Sequence, residues 1–309
     1  MNVHAQQVPH VAAVVVTYHP AAACRDLLMT LAQQCGHVIV VDNGSTPQET
    51  ALLRNWCRDL GALLIELRHN TGIAAAQNAG IERARELGAR RVLLSDDDSR
   101  PSELMVRQLE DVLATWKGRE PLAAVGPLVG EEKPGGDQLV YVSRTWGPRR
   151  ATSAELGHGP LPVAFLIASG CLIDIEALDS IGSMDERLFI DHVDLEWGLR
   201  ARRQGFVLLV VPEARMRHSL GDETAHVMGR RQPVHVHQPV RNYYLVRNTI
   251  LLIGSGVLGP KWSIGYVVWL IKYVAFNALL ANQRWRRTRM ILRGFRDGLR
   301  GRSGPIPHQ

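Results

Sequence analysis

Between residues 11 and 127 short apolar runs alternate with helix-patterned stretches, and four successive apolar runs lead into polar or acidic clusters. Strands are predicted at Val11–Thr17, Val38–Val41, Ala62–Glu66, Arg91–Leu94 and Ala123–Val125, the last stopped by Gly126-Pro127. Helices are predicted at Ala21–Gln34, Gln48–Asp59, Ile73–Leu87 and Pro101–Trp116. β and α at this spacing mean parallel strands joined by right-handed crossovers. Such sheets bind ligands at the carboxyl ends of their strands. Thr17-Tyr18, Asp42-Asn43, Arg68-His69-Asn70 and Asp96–Asp98 are therefore expected along one rim.

Asp96-Asp97-Asp98 carries the strongest chemistry on that rim. Residues i and i+2 at a strand end point to one side. Asp96 and Asp98 could then share a hard divalent cation with sites left for phosphate oxygens. The alternative is an N-cap, with Asp98 or Ser99 opening the helix after Pro101. No G-x-G-x-x-G follows the first strand and no G-x-x-x-x-G-K-[ST] occurs anywhere. A dinucleotide dehydrogenase and a P-loop ATPase lose their main warrant. A nucleotide diphosphate bound here needs another neutraliser, which a metal on Asp96 and Asp98 would supply.

The chain's 309 residues suit one large α/β domain with an appendage. Its four cysteines (Cys24, Cys35, Cys57, Cys171) lack C-x-x-C spacing, so neither a zinc site nor a disulfide framework is indicated, as in a reducing cytosol. The N-terminal residues carry no basic leader region, and the run from Val11 to Val16 is too short for a signal core. Of the net charge of +6, residues 284–302 hold eight Arg against one Asp, so +7, leaving the remainder at −1. A diffuse nucleic-acid-binding face is disfavoured, and an anionic membrane surface suits the tail.

Farther along, residues 128–160 read as loops and Ala164–Asp174 opens a second half. Phe189–Gln204 is predicted helical with carboxylates near its start, Val207–Val211 a strand, and Arg241–Leu252 a helix. His218 opens a long polar loop to about Pro239, in which His235 and His237 read as loop residues. One catalytic domain over residues 8–250 and a helical C-terminal region over 251–303 are expected.

Assembled, these segments resemble the inverting glycosyltransferases of family 2, of the GT-A fold, over roughly residues 11–250. The resemblance rests on Val14–Tyr18, Val41-Asp-Asn-Gly-Ser45, Asn70-Thr-Gly72, Asn78-Ala-Gly80, Asp96–Asp98, Ser169-Gly-Cys-Leu-Ile-Asp174, Gly182–Arg187 and Val193–Arg200, in order. Phe189–Trp197, His218-Ser-Leu-Gly-Asp222 and Arg241–Asn248 are closer to the rhamnosyltransferase subgroup. The implied fold is a mostly parallel Rossmann-like sheet with helices on both faces. The implied reaction moves L-rhamnose from dTDP-β-L-rhamnose to a lipid-linked or cell-surface glycan. Within the family, a UDP-sugar donor is the alternative. Outside catalysis, the alternative is a nucleotide-sugar-binding component of a glycan assembly complex.

The resemblance also implies roles. Asp98 and Asp96 hold Mg²⁺ or Mn²⁺, and His218 completes that site or holds the diphosphate. Asp194 is the base that takes the acceptor's proton. Asp191 is its rival or helper, expected three residues away on the same helical face, because Val193 stands where the family carries an acid. Glu196 and Arg200 sit beside it to orient. Asp42 meets the nucleobase or ribose, and Thr17 and Tyr18 the base. Asn70 and Gly72 shape the pocket, and Asp97 lies beside the nucleotide sugar as a spacer. Asn78 and Gly80 serve either contact or helix packing.

Residues 262–281 form an apolar stretch with Trp262, Tyr266, Trp269, Tyr273 and Phe276 on one helical stripe. Lys272 at its centre would cost about 3 kcal/mol in a bilayer. An interfacial helix is expected, followed by a basic helix over 284–300 on anionic lipid at the cytoplasmic face of an inner membrane. A hairpin packed on the catalytic domain, or a homo-oligomer interface, is the alternative.

Overall fold

The computed structural model describes residues 7–131, 138–218, 223–225, 234–236 and 238–307. In chain order the elements are β1 (Val8–Thr17), α1 (Ala23–Gln34), β2 (Cys35–Asp42), α2 (Pro47–Leu60), β3 (Leu63–Glu66), α3 (Ile73–Glu86) and β4 (Arg91–Asp96). Then come β5 (Ser99–Pro101), α4 (Met105–Thr115), β6 (Leu122–Glu131), β7 (Tyr141–Arg144), β8 (Gly147–Arg150), α5 (Ser153–Leu156) and β9 (Leu161–Pro162). The rest are β10 (Cys171–Asp174), α6 (Ile175–Ile181), α7 (Val193–Arg203), β11 (Val207–His218), β12 (Glu223–Ala225), β13 (Val234–Val236), α8 (Pro239–Gly254), α9 (Gly259–Leu279) and α10 (Arg284–Leu299).

The main sheet runs β3-β2-β1-β4-β10-β6-β11-β5, with β9 also on β11. β3, β2, β1 and β4 are parallel, as their crossovers require, and β6 is parallel to β11. β10 enters antiparallel between β4 and β6. Val11 to Val15 of β1 are fully buried, the near-continuous apolar run expected of a strand covered on both faces. α2 shows why its bounds were legible. Thr46 and Glu49 form a capping box, Pro47 opens the first turn, and Gly61 closes it in a left-handed conformation at φ 65°. All four cysteines are free, buried thiols.

Several expected boundaries shift. β6 does not stop at Gly126-Pro127 but continues to Glu131. Pro127 pairs with Val211 where the β6–β11 register slips, and a bulge tolerates a residue that cannot donate. The segment 128–160 is accordingly not all loop; β7, β8 and a capped α5 lie in it. α4 starts at Met105 rather than Pro101, because Ser99–Pro101 is a strand paired antiparallel with β11 at the sheet edge. β11 itself extends past Val211 to His218. His235 lies in β13, opposite Thr224, not in a loop; His237 is outside the described residues.

Two compact units emerge. The first takes the described residues within Met1–Ser143, Pro148–Glu186 and Val193–Ser219, and so holds the whole main sheet. The second takes Arg144–Gly147, Arg187–His192 and the described part of Leu220–Gln309. α8 belongs to this second unit, although a boundary at 250 would give it to the catalytic domain. Buried polar ties hold it there: Asn242 Nδ2 donates to Asn277 Oδ1 on α9 (2.9 Å) and Tyr243 Oη to Asp297 Oδ2 on α10 (3.1 Å).

Candidate active site

Register brings the expected rim together. Thr17 pairs with Asp42, and Val16 with Asp96. Asp42 is buried, with Oδ1 accepting from the Ser45 amide (3.1 Å) and Oδ2 from the Thr50 hydroxyl (2.7 Å). Its carboxylate therefore shapes the turn after β2. Thr17 is fully buried. Tyr18 is exposed, its ring 4.2 Å from that of His19. His19 is itself tied down, its amide donating to Ser45 Oγ (3.0 Å) and its Nδ1 lying 2.8 Å from Glu49 Oε2.

Asn43, expected on this rim but given no role there by the sequence, knits it together. Its amide donates to Thr17 O (2.8 Å) and its Nδ2 to Asn70 Oδ1 (3.2 Å), while its Oδ1 accepts from the Thr71 amide (2.9 Å). Asn70 Oδ1 also accepts from the Gly72 amide at 3.0 Å, which sets the entry to α3. Gly44, at φ 88°, lets the two loops touch, since a Cβ there would lie 2.6 Å from the His69 carbonyl carbon. The signal was present as a buried Asn in Asp-Asn-Gly-Ser, but only the fold shows what it ties.

Asn78 and Gly80 resolve as packing residues. Asn78 Nδ2 donates to Met184 O (3.0 Å) and its Oδ1 accepts from the Met184 amide (3.0 Å). A Cβ at Gly80 would sit 2.2 Å from Val14 Cγ1.

β4 ends at Asp96, and Asp97-Asp98 form the turn into β5. The strand-face rule for i and i+2 therefore does not apply to Asp98. The capping alternative falls too, because α4 begins six residues beyond Ser99, with Leu104 at its N-cap. Asp97 nonetheless lies close enough to the other two carboxylates to feel their charge. Asp97 is pushed up to about 6 by burial first, then by the charges of Asp98 and Asp96, against the pull of the Tyr18 backbone amide and its own. Asp96 Oδ2 accepts the Ser169 hydroxyl.

His218 pairs with Ser99 in the β11–β5 ladder, one residue beyond Asp98; its side chain is outside the described residues. Among the described residues no three metal-ligating side chains converge. Crowded carboxylate oxygens without sulfur ligands fit a hard divalent cation that takes its other ligands from phosphate.

α7 begins at Val193, not Phe189. Phe189, Asp191 and His192 all have left-handed backbones, at φ 66°, 65° and 64°, which a helix cannot include. Asp191 therefore does not share a helical face with Asp194. In the second unit its carboxylate accepts from Arg241 Nη2, and from Arg241 Nε at both oxygens (3.2 and 3.3 Å), and it is nearly fully buried. The same α8 segment holds the strained loop by its carbonyls. Asn248 Nδ2 donates to Leu188 O (3.0 Å), Ile190 O (2.8 Å) and Asp191 O (2.9 Å), and Arg247 Nη2 to Leu188 O (2.8 Å). Arg241–Asn248 thus acquires a role the sequence did not supply.

Asp194 lies in the first turn of α7, where the helix N-terminus favours a carboxylate. Its Oδ2 accepts the Ala168 amide at 3.0 Å. Ala168 and Ser169 are consecutive, so one loop touches both Asp194 and Asp96. Glu196 is buried and clamps Arg200 at 3.0 and 2.9 Å, while Arg200 also donates to Ile181 O and Ser183 O (both 2.7 Å). That pair fixes the segment after α6 and is placed for support rather than chemistry.

Known proteins share this architecture. The dTDP-rhamnosyl transferase RfbF of Shigella flexneri is 31% identical over 94% of this chain and 96% of its own length. The galactofuranosyltransferase GlfT1 of Mycolicibacterium smegmatis is 28% identical over 79% of this chain and 83% of its own. Among solved structures, GalNAc-T7 with UDP, GalNAc and Mn²⁺ aligns at a TM-score of 0.58 and 14% identity, covering 94% of this chain and 56% of that one. The model of glycosyl transferase family 2 matches residues 13–182, from the middle of β1 to the end of α6. With the parallel rim, the aspartate turn and Asp194 inside or just beyond that span, the chain belongs to glycosyl transferase family 2.

Proposed function

We propose that this glycosyltransferase moves L-rhamnose from dTDP-β-L-rhamnose to a hydroxyl of a lipid-linked or cell-surface glycan, inverting the anomeric carbon. One observation carries the mechanism: the Ala168 amide bonds Asp194 and the neighbouring Ser169 hydroxyl bonds Asp96. The group assigned to the acceptor's proton and the group assigned to the leaving diphosphate thus share one support. Asp194 takes the proton as the acceptor oxygen attacks the anomeric carbon. The bond from that carbon to dTDP breaks on the opposite side, its electron pair staying with the phosphate oxygen. Mg²⁺ or Mn²⁺ on Asp98 and Asp96, with His218, would neutralise that charge as a Lewis acid. Asn43, Asn70 and Gly72 hold the nucleotide pocket's wall, and Tyr18 offers an exposed ring to the base.

The rhamnose donor rests on RfbF, the relative with the fullest coverage reported above. Four free buried thiols suit the cytoplasmic side of the membrane. The test is transfer by the purified chain across dTDP-rhamnose and UDP-sugars, with and without Mn²⁺. Turnover with dTDP-rhamnose, lost in EDTA, is expected. Preference for a UDP-sugar would overturn the donor, full activity in EDTA the metal, and inactivity with every donor the catalytic reading.

A further inference from the structure

In the second unit, hydrogen bonds and ring stacking hold much of the aromatic stripe of α9 against its neighbours. Trp262 Nε1 donates to Arg144 O (2.9 Å), Trp269 stacks on Tyr273 (5.0 Å), and the Tyr273 hydroxyl accepts from Asn242 (2.6 Å). α9 leaves a row of aliphatic side chains in solvent, Ile264, Val267, Val268 and Ile271, together with Trp269 at 37% exposure. At the corner into α10, Leu279, Leu280 and Trp285 are 70%, 69% and 81% exposed, interleaved with exposed Arg284 and Arg286. On α10 the exposed apolar positions recur every seventh residue, Trp285, Leu292 and Leu299, beside Arg289 and Arg296. Two turns of helix separate them, so they form one row.

Charge selects the occupant. No Asp or Glu occurs between Glu223 and Asp297. Asp297 is fully buried and accepts from Tyr243, Arg296 and Arg302. The exposed charge around the row is therefore positive throughout. A second copy of this chain would bring like charge against like. Protruding Leu and Trp side chains flanked by Arg match a bilayer with anionic headgroups, which takes apolar side chains below the phosphates and cations among them.

We infer that the aliphatic row of α9, the Leu279–Trp285 corner and the Trp285–Leu292–Leu299 row of α10 form a docking face for an anionic lipid surface. α9 lies along that surface and does not cross it. It is 21 residues long and apolar enough to span by composition. Its inner face, however, is committed to Asn242 and Arg144, and crossing would strand Lys272 in hydrocarbon.

Sedimentation of the full chain with vesicles of phosphatidylcholine alone, or with about one-third phosphatidylglycerol, tests this without donor or acceptor. Its outcome is thus independent of the transfer reaction. Binding to the anionic vesicles at least tenfold above neutral ones, reversed by salt, is expected. Arg284→Glu with Arg286→Glu should weaken it by more than about 25-fold, at roughly fivefold per charge removed. Leu280→Glu with Trp285→Glu should weaken it comparably. These side chains are exposed, so unchanged circular dichroism and melting are expected in both. No binding by wild type, or undiminished binding by both variants, overturns the inference. Resistance of the bound chain to carbonate extraction overturns the surface-lying geometry.

Discussion

Asp191 and Arg241 form a two-pronged ion pair in which the carboxylate is 4% exposed and the guanidinium 34%. This pair engages the aspartate that lies three residues before Asp194. It ties down a loop in which Phe189, Asp191 and His192 hold left-handed backbones, each costing about 1–3 kcal/mol. Asp191→Asn should destabilise the protein by about 1–2 kcal/mol, because it weakens the charge-assisted hydrogen bonds from a guanidinium that is 34% exposed. Urea unfolding would check this. A double-mutant cycle with Arg241→Gln should return a coupling above about 1 kcal/mol.

Asp194→Asn should lower turnover at least 10²-fold with little change in KM for the donor. The amide oxygen of Asn can still accept the Ala168 N–H, so the loop at 168–169 should stay in place and the melting temperature should hold. Wild-type turnover in this variant would remove Asp194 from the chemistry.

Ser169→Ala deletes the hydroxyl that orients Asp96 without touching the sheet. Supporting partners of metal ligands are typically worth 10–100-fold in affinity. The Mn²⁺ concentration giving half-maximal transfer should rise by about that factor, while saturating Mn²⁺ restores most of kcat.

His192 is partly buried, with Nε2 2.9 Å from Thr249 Oγ1 and its ring edge-on to Tyr266 and Trp269. Burial and the Arg241 charge push it down to about 4, against the pull of Asp191. The folded state thus favours neutral imidazole, so its contribution is complete above about 6.5 and is lost as pH falls toward 4. Between pH 7 and 5 wild type should lose about 2 kcal/mol more stability than His192→Gln. Denaturation curves of both proteins at the two pH values give that difference.

Gly80→Ala would place a methyl 2.2 Å from Val14 Cγ1 in the central strand. Overpacking of this kind costs about 1–3 kcal/mol. A lower melting temperature, with kcat/KM largely kept at low temperature, would mark Gly80 as a packing residue and not a donor contact.

The residues show how far sequence reaches. The parallel half was legible because buried parallel strands are continuous apolar runs and their crossovers are amphipathic. Asp42 and Asp96 were correctly placed at strand ends by that period alone. β10 was not legible, since an antiparallel strand inserted between β4 and β6 leaves no mark in local pattern. The strand at Ser99–Pro101 was hidden by a proline that reads as a helix start. Its pairing with Met216–His218 decides that Asp98 is in a turn and not a cap.

By itself the sequence determined the sheet's parallel core, the family motifs in order and the unbalanced basic tail, because periodicity, turn residues and charge are local properties. Only the tertiary structure decided which partner engages each carboxylate. Asp42 is engaged by Ser45 and Thr50, Asp191 by Arg241 and Glu196 by Arg200, while the Ala168–Ser169 loop unites Asp194 with Asp96. It also tied much of the aromatic stripe of α9 to neighbouring groups and left the aliphatic row exposed. The physical reason is the same in both cases. A side chain's role depends on the partner that satisfies it, and those partners lie 3 to 118 residues away in the chain.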